Sequence, residues 1–141
     1  MGRIEFDDLQ GDRKYSGQRA YSQSKLANIM FTNELARRLE GTGVTATSLH
    51  PGVVRTNFGA EDPAWYFAVT SRAARLLLKN PAQGARTSIY IASSRDVDGV
   101  TGKFFVNCTP RTANKLAYDI DMNARLWQVG AELVGMTPPT S

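Results

Sequence analysis

The chain has 141 residues, with 17 lysines and arginines against 13 acidic side chains and a formal charge of +4. With 42% hydrophobic and 21% charged residues, the composition is that of a folded soluble domain with a core, not of a disordered segment. The densest apolar run, Leu76-Leu77-Leu78, is far too short to cross a bilayer.

Met1 to Asp8 holds no apolar stretch of signal-peptide type, and the single Cys108 has no partner for an internal disulfide. Both fit a chain expected in a reducing cytoplasm. The basic residues are scattered. Arg37-Arg38 and Arg72/Arg75/Lys79 fall at helical spacing among apolar residues, which suits a solvated helix face better than a nucleic-acid surface.

Residues 1–19 are polar and turn-rich, with Gly11 and Gly17 among Asp7, Asp8, Asp12 and Ser16, and read as a loop. From Ala20 to Leu39, Leu26, Ile29, Met30, Phe31, Leu35 and Leu39 recur at threes and fours, which predicts a long amphipathic helix stopped by Gly41 and Gly43. Val44 to Leu49 is short, β-branched and uncharged, and Pro51-Gly52 ends it, so a buried parallel strand is expected. Pro63 to Leu78 reads as a helix with Asp62 as N-cap, and Pro81 to Ser93 as another. Lys103 to Asn107 reads as a strand between Gly102 and Pro110, and Asn114 to Val134 as one or two helices. This order belongs to an α/β protein with a parallel sheet. Two strands make a poor sheet, so further strands are expected from elsewhere.

Tyr21 and Lys25 stand four apart near the start of the long helix, which puts them on one face. A phenol is a weak acid, and a neighbouring ammonium favours its ionised form, as a proton donor near neutral pH requires. Alone the pair means little, because Tyr-x-x-x-Lys arises by chance on many helices. Its context adds weight. After one strand comes His50-Pro51-Gly52-Val53-Val54-Arg55-Thr56, at the carboxyl edge where open α/β sheets bind cofactors. Gly52 lets backbone approach a flat ring, and Thr56 offers a hydroxyl. A plain strand-ending turn accounts for this segment equally well by itself.

Tyr21-Ser22-Gln23-Ser24-Lys25 resembles the active-site motif of the short-chain dehydrogenase/reductases, and Pro51-Gly52-x-x-x-Thr56 resembles their nicotinamide loop. Phe6-Asp7-Asp8-Leu9-Gln10, Ala20-Tyr21-x-Gln23-Ser24-Lys25-Leu26-Ala27-Asn28, His50-Pro51-Gly52, Asn107-Cys108 and Ala124-Arg125-Leu126-Trp127 are similar to the retinol-dehydrogenase-like branch. The resemblance runs in order from about Arg3 to Gly135. It implies the C-terminal half of a Rossmann-like, doubly wound parallel sheet, a single partial domain over 1–141 without the dinucleotide-binding half. The family's Gly-rich strand-to-helix turn has no counterpart in these residues, and neither have the Asn and Ser that stand upstream of its tyrosine.

The resemblance implies that Tyr21 is the general acid and base, and that Lys25 eases its ionisation and bonds the nicotinamide ribose. It places Pro51, Gly52, Val54 and Thr56 on the nicotinamide side of a bound NAD or NADP. Trp65, Tyr66 and Phe67 would cover a lipophilic alcohol, aldehyde or ketone, although aromatic packing between helices accounts for them equally well. No metal, nucleic acid or membrane span is implied. His50 reads as a polar strand end, Cys108 as packed, and Ser24 either as holding the helix start or as a plain surface hydroxyl. Two readings follow: an oxidoreductase present as a truncated chain, or a non-catalytic relative that associates with itself or with a full-length enzyme. By themselves the 141 residues are expected neither to reduce a carbonyl nor to hold a dinucleotide tightly.

Overall fold

A computed structural model describes residues 2–54 and 79–136. The helix expected over Pro63 to Leu78, with its cap Asp62, lies outside the described residues, as do Thr56, Trp65, Tyr66 and Phe67. The described elements are α1 (Gly17–Arg38), β1 (Ser48–His50), α2 (Pro81–Ser93), β2 (Phe104–Val106), β3 (Thr109–Arg111) and α3 (Ile120–Leu133), with 3₁₀ turns at Phe6–Asp8, Arg95–Val97 and Lys115–Tyr118. The strands form one sheet in the order β1-β2-β3. The protein is therefore α/β. It divides into two compact units, one of Met1–Ser48, Gly99–Phe104 and Arg111–Ser141, the other of Leu49–Asp98 and Phe105–Pro110.

In the first unit, α1 begins at Gly17, three residues before the apolar spacing predicts, because Ser16 is extended and its carbonyl takes the first helical bond from Ala20 at 2.8 Å. Leu26 and Met30 are buried on one face and meet Ile4 and Ala117 to form a core, against which Phe6, Leu9, Ile29 and Leu126 also pack. The α3 helix starts on Asp119, whose side chain accepts from the Met122 amide at 3.0 Å. Its Trp127 stacks on Phe31 with ring centroids 5.1 Å apart, and the Arg38 guanidinium lies 4.7 Å from the Trp127 ring. Phe31 and Arg38 are seven residues apart, about 10 Å along a helix, so the indole is held from both positions. The Ala117 carbonyl accepts from Asn33 Nδ2 at 2.7 Å and from Asn123 Nδ2 at 3.0 Å, tying α1, the 3₁₀ turn and α3 to one oxygen.

Adjacent parallel strands are observed where the spacing predicts them. Gly102 donates to Ala46 at 2.8 Å and Ser48 to Lys103 at 3.0 Å, so numbering rises together on both segments. Their extent is smaller than expected. Val44 is 58% exposed, and the regular strand starts only at Ser48. The Thr42 hydroxyl takes the Val44 amide and the Thr101 hydroxyl takes the Ala46 amide, so side chains satisfy these two N–H groups in place of a neighbouring strand. A third strand, β3, was not expected, because Pro110 argues against one. Proline is tolerated on an edge, and β3 is the edge. Asn107 and Cys108 both adopt positive φ, 51° and 61°, the two-residue turn that closes a tight hairpin.

In the second unit, α2 has the expected bounds. Asn80 and Gln83 form a capping box, each side chain accepting from the other's backbone amide at 2.8 and 3.0 Å, and Pro81 opens the helix.

The buried stripe of α1 continues one turn past Met30 into Glu34, a charged residue only 1% exposed. Arg37 grips its carboxylate at 3.0 and 2.8 Å, and Arg38 adds a bond at 2.7 Å. The Arg37 hydrogen bonds above all, with those of Arg38, hold the carboxyl below its ordinary 4.5 although burial pushes it up. A carboxyl with a lowered folded value contributes stability that is full above its unfolded value and is lost as pH falls through the folded one. The unfolding midpoint should therefore fall as pH drops below 4.5. Glu34→Gln should lower the midpoint at pH 7, and the difference should shrink as pH falls below 4.5. Thermal unfolding of both proteins across this range checks it; a constant difference counts against the assignment.

Candidate functional site

The first unit carries the phenol and the ammonium. Burial of Leu26 and Met30 turns the opposite face of α1 outward, leaving Tyr21 51% exposed and Lys25 exposed one turn later. The Lys25 Nζ lies 5.2 Å from the centroid of the Tyr21 ring, so its positive charge rests against the phenol's π face. Ser24 turns its hydroxyl back to the Tyr21 carbonyl at 2.8 Å and so braces the first turns of the helix.

Gln23 has a part that sequence reading missed. Its Oε1 accepts from the Glu5 amide at 2.9 Å, and its Nε2 donates to the Leu9 carbonyl at 3.1 Å. The N-terminal loop is thereby fastened to the helix beside Tyr21. Leu9, Tyr15, Arg19 and Gln23 help line a cleft of about 150 Å³ there, whose walls do not include Tyr21.

The second unit carries Pro51, Gly52 and Val54. Gly52 has φ +85°, a conformation that favours glycine. Val54 forms a parallel bridge with Lys79, and the Lys79 amide donates to the Val53 carbonyl at 3.0 Å. The Lys79 Nζ donates to the Pro51 carbonyl at 3.2 Å and to Asn107 Oδ1 at 2.5 Å. Lys79 is thus no part of a solvated helix face, as its spacing from Arg72 and Arg75 suggests. The capping box at Asn80 fixes where α2 begins, and Lys79 lies before it as extended chain. Thr87, 2% exposed on α2, accepts the Cys108 amide at 3.3 Å, while the half-buried Cys108 thiol lies 3.9 Å from the same hydroxyl. His50 is exposed at the end of β1. Tyr21 and Lys25 belong to one unit and Pro51, Gly52 and Val54 to the other.

The family model for short chain dehydrogenases matches residues 8–66. Human retinol dehydrogenase 14 is 44% identical over 137 residues, covering 96% of this chain and 41% of the relative. Human retinol dehydrogenase 13 is 40% identical over 144 residues, covering 99% of this chain and 44% of the relative. The chain thus spans well under half the length of these relatives. A crystal structure of an uncharacterised protein from Mycobacterium paratuberculosis superposes with a TM-score of 0.68 at 32% identity, covering 99% of this chain and 47% of that one.

The loop after β1 packs on α2 through Gly84, which is buried. A Cβ there would lie 2.5 Å from Val54 Cγ2 and 3.0 Å from its Cγ1. Valine is stiff about χ1, so it cannot turn aside cheaply. Gly84→Ala gains about 1 kcal/mol of helix propensity but should cost about 1–3 kcal/mol in overpacking. The expected net effect is a lower unfolding midpoint, partly restored when Val54→Ala is added. Calorimetry on the two variants decides this; a more stable Gly84→Ala protein contradicts the packing.

Proposed function

We propose, for a chain that belongs to the short-chain dehydrogenase/reductases in their retinol-dehydrogenase-like branch, that it supplies the proton-transfer machinery of a nicotinamide-dependent oxidoreductase. One observation carries the reading: an exposed phenol with an ammonium 5.2 Å from its ring, on the solvent face of α1. On this reading the chain is the C-terminal half of the family's doubly wound sheet. In support, it covers 41% and 47% of its longer counterparts.

Two groups of described residues, one in each unit, offer chemistry suited to the nicotinamide end of NAD or NADP. Tyr21 and Lys25 present a hydroxyl and an ammonium, side by side and open to solvent, to sugar hydroxyls. Gly52, at φ +85°, offers backbone without a side chain to a flat ring. When bound, the cofactor supplies or takes the hydride. In carbonyl reduction Tyr21 Oη gives its proton to the substrate oxygen, and in alcohol oxidation it takes the proton back. Lys25 stabilises the phenolate left after donation and bonds the ribose. Pro51, Gly52 and Val54 would border the nicotinamide. The curated relatives are named for retinol, so the substrate class proposed is a lipophilic alcohol, aldehyde or ketone.

The test uses a protein in which residues 1–141 are joined to a relative's dinucleotide-binding segment. With a lipophilic aldehyde, Tyr21→Phe should lower kcat by about 10²–10⁴-fold and leave dinucleotide affinity nearly unchanged. Lys25→Ala should damage both, because that side chain has two roles. Stopped-flow turnover with separate dinucleotide titrations reads the two effects, and near-normal turnover of Tyr21→Phe overturns the assignment.

A further inference from the structure

We infer that Lys79 is a positioning residue whose ammonium fixes the orientation of the Pro51–Gly52 peptide. The loop's importance rests on the functional reading above; the clamp itself stands on geometry alone. The Lys79 Nζ donates to the Pro51 carbonyl at 3.2 Å, and its own backbone amide donates to Val53 at 3.0 Å. The side chain and main chain of one residue thus hold the loop at two points on either side of Gly52. The lysine stem runs directly over that glycine. A Cβ at Gly52 would meet Lys79 Nζ at 2.9 Å, Cε at 3.0 Å and Cδ at 3.1 Å. Gly52 is favoured by its φ of +85°, and a Cβ there would push the lysine stem off this path.

The second acceptor of the ammonium makes the clamp rigid. Asn107 Oδ1 lies 2.5 Å from Nζ, in the turn where Asn107 and Cys108 both have positive φ. That turn is itself anchored, because the buried Thr87 hydroxyl takes the Cys108 amide. A series of contacts runs from α2 through Thr87 and the hairpin turn to Lys79, and from Lys79 to the Pro51 carbonyl. A trans peptide is planar, with its carbonyl and the following N–H on opposite sides. Holding the Pro51 carbonyl toward Lys79 therefore aims the Gly52 N–H the other way. Without the ammonium, the peptide between a proline and a positive-φ glycine is free to rotate as a unit. Lys79 decides which polar group of this peptide faces a ligand at the loop.

Amide hydrogen exchange by NMR on the 141-residue chain, with no dinucleotide present, tests the clamp separately from the functional reading. Lys79→Met keeps the stem and removes the charge. It should speed exchange at residue 79 and at Cys108 about tenfold, the equivalent of one hydrogen bond to a charged group, and shift the Gly52 amide resonance. Exchange in α1 should not change. Lys79→Arg, which keeps a charged donor, should restore most of the protection and the Gly52 resonance. Asn107→Ala serves as an independent arm should Lys79→Met fold poorly: it should speed exchange at the same two amides. Unchanged exchange and an unmoved Gly52 resonance in either variant overturn the proposal. So does a Lys79→Arg protein that behaves like Lys79→Met.

Discussion

Burial of Leu26 and Met30 is the constraint on which the exposed face of α1 depends. The two lie one turn apart and are 4% and 0% exposed. At about 100° per residue, a helix that buries these positions has no choice about what it shows on its far side. Tyr21, Lys25 and Asn28 fall there, and all three are exposed. The orientation of the phenol is thus set by apolar packing on the opposite side of the same helix. A chemical group needs a fixed direction as much as a suitable acidity, and here the core provides the direction.

The same stripe explains why a charge is buried. Glu34 occupies the position after Leu26 and Met30, where an aliphatic side chain would be the ordinary choice. Its carboxylate is gripped by Arg37 and Arg38, and Arg38 in turn reaches the Trp127 ring. A purely apolar stripe packs in several registers at similar energy. A carboxylate that must meet two guanidinium groups, one of them lying against an indole, accepts one. In the second unit, Lys79 has a similar role: its charge serves geometry, through two uncharged oxygens.

Much of this was legible in the sequence. The apolar spacing from Leu26 to Leu39 gave α1 to within a few residues, and Pro81 and Ser93 bound α2 as read. Tyr21 and Lys25 were legible as a pair because helical spacing places them together whatever surrounds them. What escaped reading depends on contacts distant in the chain. The segment Val44 to Thr47 is rich in β-branched residues yet irregular, because hydroxyls of Thr42 and Thr101 take the amides of Val44 and Ala46. Pro110 signals a strand end in isolation and an edge strand only once β2 lies beside it. Lys79 reads as one more surface cation until Pro51 and Asn107 are brought to it from 28 residues away on either side. Gln23 stands inside the quoted motif, yet nothing in its neighbours announces that it ties down the loop.

The shared acceptor at Ala117 also bears on how the protein is made. Asn33 of α1 and the carbonyl it bonds are separated by 84 residues, and the core beneath Tyr21 is completed by the same alanine. At about 5–20 residues per second, a ribosome takes on the order of ten seconds to deliver Ala117 after Asn33. Throughout that interval the apolar stripe of α1 has Ile4, Phe6 and Leu9 to pack against but not Ala117 or Leu126. Tyr21 and Lys25 are thus synthesised well before the core on the far side of their helix is complete.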